Sequence, residues 1–451
     1  MRNVHKSQNA LDRAVIAGAQ VIRGAPDDYD GLLALVGDAQ LVLLGESTHG
    51  THEFYAERSR ITERLIREKS FCAVAVEADW PDAYRVNRYV RAAGSDASAA
   101  QALDGFRRFP GWMWRNNDVL QFIDRLRAHN DLLSPQRKAG FYGLDLYSLY
   151  SSIEKVLRYL DQVDPTAASA ARERYACFDH HDEDSQAYGY AAATGLSDPC
   201  ESGAVAQLHQ LQQRAADYMQ QDGASAGDAF FHAQQNARLV INAEQYYRTM
   251  FRGRVSSWNL RDRHMADTLD ALVAHLQASS ADGAPAKVVV WAHNSHIGDA
   301  RATEMHKHGE FNVGQLVRER YGNRARLIGC STYQGTVTAA SRWDGPAECK
   351  QVLPALPGSV EALLHEALPA NFVLPLSGDG ALADAFSQPC LERAIGVLYL
   401  PATERQSHYF SARLPAQFDA LLHIDCSSAV TPLETVEPRG PEPPETFPAG
   451  L

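Results

Sequence analysis

The stretch Leu41-Val42-Leu43-Leu44-Gly45-Glu46-Ser47-Thr48-His49-Gly50 constrains the fold more than any other. A continuous apolar run of this length reads as a strand covered on both faces, as in a parallel sheet. Gly45 permits a sharp turn at its carboxyl end. A helical pattern then runs from about His52 to Lys69, with Phe54, Ile61, Leu65 and Ile66 on one side. Glu46 and His49 therefore fall where an open α/β sheet presents ligand-contacting groups. Acidic and hydroxyl side chains also cap helices at such places, so one strand end does not make a site.

The pattern recurs. Ala73-Val74-Ala75-Val76-Glu77-Ala78-Asp79 is a second apolar run ending in carboxylates, and Val288-Val289-Val290-Trp291-Ala292-His293-Asn294-Ser295-His296 is a third, ending in histidines. If these strands are neighbours, Glu46, His49, Glu77, His293 and His296 converge on one crevice. Ala139 to Leu146 is a further strand, ending at Asp145. Arg326 to Cys330, Asn371 to Leu376, Ala394 to Leu400 and Ala420 to Asp425 are later candidates. Residues 9–37 read as helical, with a turn at Gly24-Ala25-Pro26-Asp27-Asp28. Alternation of helices with strands gives the fold class: α/β, with a central, largely parallel sheet flanked by helices.

The expected organisation is a first part of the α/β core over 1–146, with a helical excursion over 82–135. Residues 147–277 show almost no strand character and read as an inserted helical cap that could act as a lid. The second part of the core covers 278–436, and a proline-rich tail, expected to be disordered or surface-wrapped, covers 437–451. In the excursion, Trp112-Met113-Trp114-Arg115 beside a Pro-Gly turn reads either as a pocket wall or as an aromatic plug under a helix. In the last cap helix Arg261 lies one turn before Met265 on the apolar stripe, so its charge points inward, towards the crevice or a structural ion pair. His264 lies on the flank. Trp114, Arg115, Asp145, Arg261 and His264 form the candidate substrate-binding set. Asp179 to Asp184 holds metal-ligating residue types, but adjacent residues rarely face one ion, and it reads as a solvated loop.

A formal charge of −12 argues against nucleic acid as a partner. Met1 to Asn9 is polar and not read as a secretion signal, and no apolar run approaches the roughly 20 residues of a membrane span. Seven cysteines without CxxC spacing suggest reduced thiols, neither a disulfide frame nor a zinc site. The expected location is the cytoplasm. The chain has no G-x-S-x-G elbow, no phosphate-binding glycine loop and no HExxH. Histidine and carboxylate remain. A neutral imidazole oriented by a carboxylate can take a proton from water near pH 7, while other groups hold the oxyanion. The same residues, as His49-x-x-His52 and His293-x-x-His296 with Glu46 and Glu77, could instead bind zinc.

Several stretches together resemble the erythromycin esterase family. They are Leu44 to Phe54, Val76-Glu77-Ala78-Asp79-Trp80, Trp112 to Asn116, Gly143 to Leu149, Ala292 to His296, Gly335 to Ala340 and Thr403 to Phe410. The resemblance spans about residues 40–430. It implies a helix-flanked central sheet topped by a helical cap, and ester hydrolysis by water activated by the histidine of Gly-Glu-x-x-His, here His49. The family's supporting glutamates fall on Glu46 and Glu77, its arginine on Arg58 and its histidine pair on His293 and His296. The family includes macrolide-lactone esterases, and some relatives carry names linked to succinoglycan biosynthesis. The late stretches are more similar to the generic branch than to the macrolide-resistance enzymes. The expected protein is a hydrolase of a small-molecule ester or lactone, with no cofactor. Its rivals are a zinc hydrolase using the same cluster and a binding protein for a small molecule such as haem.

Overall fold

The computed structural model describes residues 2–434, apart from 182, 221–223, 252, 281–282 and 377–380. The proline-rich tail lies outside the described residues. Among the described residues eleven strands are formed: β1 (Gln20–Val21), β2 (Leu41–Leu44), β3 (Ala73–Asp79), β4 (Gly140–Asp145), β5 (Val288–Trp291), β6 (Ala325–Ala339), β7 (Glu348–Val352), β8 (Phe372–Pro375), β9 (Cys390–Arg393), β10 (Tyr409–Ala412) and β11 (Ala420–Ser427). The main sheet runs β1-β8-β11-β6-β2-β5-β3-β4, with β7 added to β6. The block β11-β6-β2-β5-β3-β4 is parallel throughout. β8 joins β11 antiparallel and β7 joins β6 antiparallel, while β1 pairs antiparallel with β8 at the sheet edge.

The apolar runs are strands for the reason their pattern gives. Leu41, Leu43, Ala73, Ala75, Val288 and Val290 pack into the core on one face. Their alternate neighbours Val42, Leu44, Val74, Val76, Val289 and Trp291 pack into a second core on the other. A strand covered on both faces must be apolar at every position. In the register, Leu44 and Val76 both stand opposite Trp291. The carboxyl ends of β2, β5 and β3 therefore lie side by side at one level, with β4 beyond. Between Val76 and Asp79 the β3–β4 ladder shifts register, and such an irregularity re-aims the side chains it carries.

Residues 149–278 hold helices and no strand among the described residues, from Leu149–Val163 to Arg254–Ala278. This helical segment is pinned to the core: Trp80 Nε1 donates to His232 Nδ1 of Ala224–Thr249 at 2.9 Å. Among the described residues no helix is long and apolar enough to cross a membrane.

Three expectations change. Ala394 to Leu400 is buried up to Tyr399 but is not a strand. Its backbone groups bond to loops instead, Ile395 N to Ser47 O at 2.8 Å and Tyr399 N to Ala340 O at 3.1 Å, so the run supports the loop after β2. Residues 9–37 are broken by β1, which pairs with β8 at the sheet edge. Cys177 and Cys200 form a disulfide within the helical segment. Twenty-three residues separate them, and no motif spacing marks a pair that only helix packing brings together.

Gly45 is required for space and not for an unusual backbone angle, since its φ is not positive. A Cβ there would lie 2.1 Å from Asn294 Oδ1. That oxygen accepts from Cys330 N at 3.1 Å, and Asn294 Nδ2 donates to Cys330 O at 2.7 Å. The side chain cannot yield without losing both bonds. Gly45→Ala is expected to destabilise the protein by about 1–3 kcal/mol, as overpacking does. A lower urea midpoint with an unchanged slope checks it.

Candidate active site

The loop after β2 carries Glu46 and His49, and the His52–Lys69 helix carries Arg58. His49 Nδ1 donates to Glu46 Oε1 at 3.0 Å. Arg58 Nη2 donates to Glu46 Oε2 at 2.6 Å. The Arg58 guanidinium lies 4.5 Å from the Tyr55 ring centre and 5.1 Å from that of Trp291. Tyr55 Oη donates to the His49 carbonyl at 2.9 Å. A carboxylate only accepts, so Glu46 fixes the proton of His49 on Nδ1 and leaves Nε2 as the basic nitrogen.

Arg261 is the hub of the second half. Its Nε donates to Asp145 Oδ1 at 3.0 Å, and its Nη2 to Asp145 Oδ2 at 2.7 Å and Glu77 Oε1 at 2.8 Å. Glu77 Oε2 accepts from the His293 backbone N–H at 2.8 Å. Burial opposes the charge on Glu77, but His296, Arg261 and His49 outweigh it and hold the carboxyl well below its usual range. Asp145 is likewise lowered: burial is opposed by Arg261.

The two histidines after β5 have opposite characters. His293 lies against His49, with ring centres 4.8 Å apart. Burial, then His49, push its imidazole well below the ordinary range. Its Nδ1 accepts from the Ser295 backbone N–H at 3.2 Å, so the proton of the neutral ring sits on Nε2. Nε2 is buried with no hydrogen-bond partner among the described residues. His296 bonds through Nδ1 to Asp262 Oδ1 at 2.9 Å and stands with Nε2 3.3 Å from Glu77 Oε1. Trp258 stacks on it at 4.6 Å. Burial and the Arg261 guanidinium, whose Nη1 lies 3.1 Å from Nε2, favour the neutral ring, but Asp262 and Glu77 outweigh them and push the pKa up to about 9.

A small pocket, about 70 Å³, opens at these strand ends. His49, Glu77, Trp114, Asp145 and Arg261 line it. Of the five strand-end residues expected to converge on the crevice, His49 and Glu77 line it, and Arg261 is both ion pair and pocket wall. Glu46, Arg58, His293 and His296 lie behind the lining.

Two of the candidates sit elsewhere. Arg115 does not line the pocket; its guanidinium pairs with Glu434 at 2.8 Å and Asp104 at 3.3 Å. His264 bonds Asn242 at 2.7 Å, and burial lowers its pKa to about 4. Both face away because helix packing, not sequence proximity to Trp114 and Arg261, sets their direction. Asp82 and Arg108 line the pocket without having been singled out, as does Asp79, and Asp262 was missed behind Arg261. The arginine-rich run before the Pro-Gly turn was the available signal for Arg108.

Zinc does not fit this donor set. Among the described residues no three His, Cys, Asp or Glu side chains are arranged to hold a metal ion. His52 points to Asp118, 2.7 Å away, and is half exposed. Glu46 and His296 spend their side-chain atoms on protein partners. In the Asp179 to Asp184 stretch, Asp184 caps the Ser185–Thr194 helix; Asp182 lies outside the described residues.

The fold and the site define an α/β protein with a histidine–carboxylate crevice at the carboxyl ends of a parallel sheet. A profile described as "Erythromycin esterase" matches residues 66–427, and the chain belongs to the erythromycin esterase family. It is similar to "Erythromycin esterase type II" of Escherichia coli, 22% identical over 327 residues that cover 69% of this chain and 74% of the relative. Two solved structures share the fold. One, of a succinoglycan biosynthesis protein, has a TM-score of 0.75 at 21% identity over 94% of this chain and 98% of that one. The other, of a mutant of the erythromycin esterase EreC in its open conformation, has a TM-score of 0.65 at 18% identity over 89% and 94%.

The charge on His296 gives a stability signature. Its folded pKa, about 9, lies above the ordinary 6.5. The stabilisation is therefore complete below about pH 6.5 and lost as pH rises through 9. The urea-unfolding gap between wild type and His296→Gln is expected to shrink between pH 6 and pH 9.5 by on the order of 3 kcal/mol. A gap that does not vary with pH refutes the charged state.

Proposed function

We propose that the protein is a hydrolase that cleaves an ester or lactone of a small molecule with water activated by His49. The observation that carries this reading is a pocket-lining histidine whose Nδ1 is held by a carboxylate at 3.0 Å, with Nε2 left uncommitted among the described residues. Family membership supports hydrolysis as the reaction class.

In this reading water approaches the substrate carbonyl, and His49 Nε2 removes its proton as the oxygen–carbon bond forms. Glu46 keeps the ring in the required tautomer and balances the imidazolium, and Arg58 holds Glu46. The carbonyl oxygen becomes an anion. Arg261 is the cation placed on the pocket wall to receive it, oriented beforehand by Asp145 and Glu77. Collapse breaks the bond to the leaving oxygen, and His49 returns the proton to it. The products are a carboxylic acid and an alcohol, joined in one molecule when a lactone ring opens. Arg58, His293 and His296 act from behind the pocket, as positioning residues.

Hydrolysis of a panel of simple esters, lactones and macrolides by wild type and His49→Asn tests the reading. Turnover of at least one class is expected, with kcat/KM reduced about 10³-fold in the variant and an unchanged circular dichroism spectrum. Full activity in His49→Asn removes the base assignment. A folded wild type that cleaves nothing in the panel removes the esterase reading.

A further inference from the structure

Away from the pocket, two glutamates are buried within reach of each other's charge. Glu361 lies in the first turn of the Val360–Ala367 helix and Glu392 on β9. Each uses one carboxyl oxygen. Glu361 Oε1 accepts from the Arg393 backbone N–H at 2.8 Å, and Glu392 Oε1 accepts from Asn294 Nδ2 at 3.4 Å. The other oxygen of each, Oε2, is buried with no hydrogen-bond partner among the described residues. Two acceptors are left over, and no donor. Two bare carboxylates in a dry interior repel each other and lack solvation.

The surrounding groups do not neutralise them. The Arg393 guanidinium goes to Glu404 Oε1 at 3.1 Å and to the carbonyls of Leu353, Thr332 and Tyr333. Cys390 on β9, Tyr409 on β10 and His423 on β11 feel the charge of Glu361, but burial keeps all three neutral near pH 7. His408, whose carbonyl accepts from Ala394 N, is also kept neutral by burial. His365, on the helix of Glu361, pairs with Asp425 at 2.6 Å. Burial, then Glu361, push Glu392 up to about 8, against the side-chain amides of Gln417 and Asn294. One proton satisfies both leftover oxygens: carried on one Oε2, it donates to the other. Carboxyl pairs that cannot both ionise share a proton in this way.

The pair also bears on the loop that carries Glu46 and His49. The Asn294 side chain brackets Cys330, and its backbone N–H donates to Glu46 O at 2.8 Å. Three residues after Glu392, Ile395 N donates to Ser47 O at 2.8 Å. We propose that Glu361 and Glu392 hold one proton between their free oxygens, and that this singly charged pair positions Asn294 and the His49 loop until mild alkali removes the proton. Neither residue lines the pocket, so the inference stands apart from the reaction proposed above.

Urea unfolding of wild type, Glu392→Gln and Glu361→Gln across pH 5 to 9.5 tests the shared proton. Glutamine keeps the shape and offers an N–H in place of the proton, with nothing to lose. An unfolded glutamate gives up its proton near the ordinary 4.5, and Glu392 in the folded chain near 8. Folding is therefore disfavoured as pH rises between the two. The folding constant of wild type relative to Glu392→Gln is expected to fall about tenfold per pH unit from about pH 5.5 to 7.5 and to level off above about 8.5. In Glu361→Gln the levelling moves to lower pH. Hydrogen-exchange protection of the Asn294 and Ile395 amides is expected to drop about tenfold between pH 7.5 and 9.5 in wild type and to persist in Glu392→Gln. A ratio flat in pH overturns the proton; if unfolding then responds to a chelator, a metal ion fills its place. Levelling unmoved in Glu361→Gln overturns the sharing. Protection that does not change overturns the link to the His49 loop.

Discussion

The structure depends on one buried ion cluster, Arg261 with Glu77 and Asp145. Each member is nearly sealed from water, and none could be buried alone, since an unpaired charge in the interior costs several kcal/mol. The three come from β3, β4 and the last helix of the helical segment. They are satisfied only when those elements meet. The bidentate geometry of Arg261 on Asp145 is the strong form of such a pair. Breaking a pair like this by removing one partner typically costs about 3–5 kcal/mol, because the other partner is left uncompensated. The cluster therefore ties the helical segment to the sheet, and it fixes Glu77 at the pocket wall.

From that anchor the site is built in two layers. The front layer, His49, Glu77, Asp145 and Arg261, meets the pocket. The back layer sets its state. Glu46 and Arg58 orient His49, and Asp262 keeps a charge on His296. His293, with a hydrogen-bonded Nδ1 but no carboxylate on its ring, stays neutral beside His49. Two imidazoles three residues apart thus end in opposite charge states. Asp262 on a neighbouring helix makes the difference, through the balance of desolvation against charge partners. A neutral His293 also spares His49 a like charge 4.8 Å away.

Much of this was legible along the chain. Both-face burial demands an unbroken apolar run, so β2, β3, β4 and β5 could be read as strands of a covered parallel sheet, and the polar residues at their ends as the crevice. The inward charge of Arg261 was legible from its place on a helical stripe. These are local rules: side-chain period and strand ends are written within a few residues. Ala394 to Leu400 shows the limit, because an apolar run records burial and not the partner of its backbone.

The sequence by itself determined which residue types would stand at the strand ends and that those strands would be buried. The tertiary structure alone decided that β5 would lie between β2 and β3, which brings His293 beside His49 and Glu77. It also decided that Arg115 and His264 would turn away from the pocket, that Arg108 and Asp82 would join it, and that Cys177 would meet Cys200. The physical reason is that each of these depends on contacts between segments far apart in the chain. Such contacts are set by how whole elements pack, and no short stretch encodes the packing of its partners.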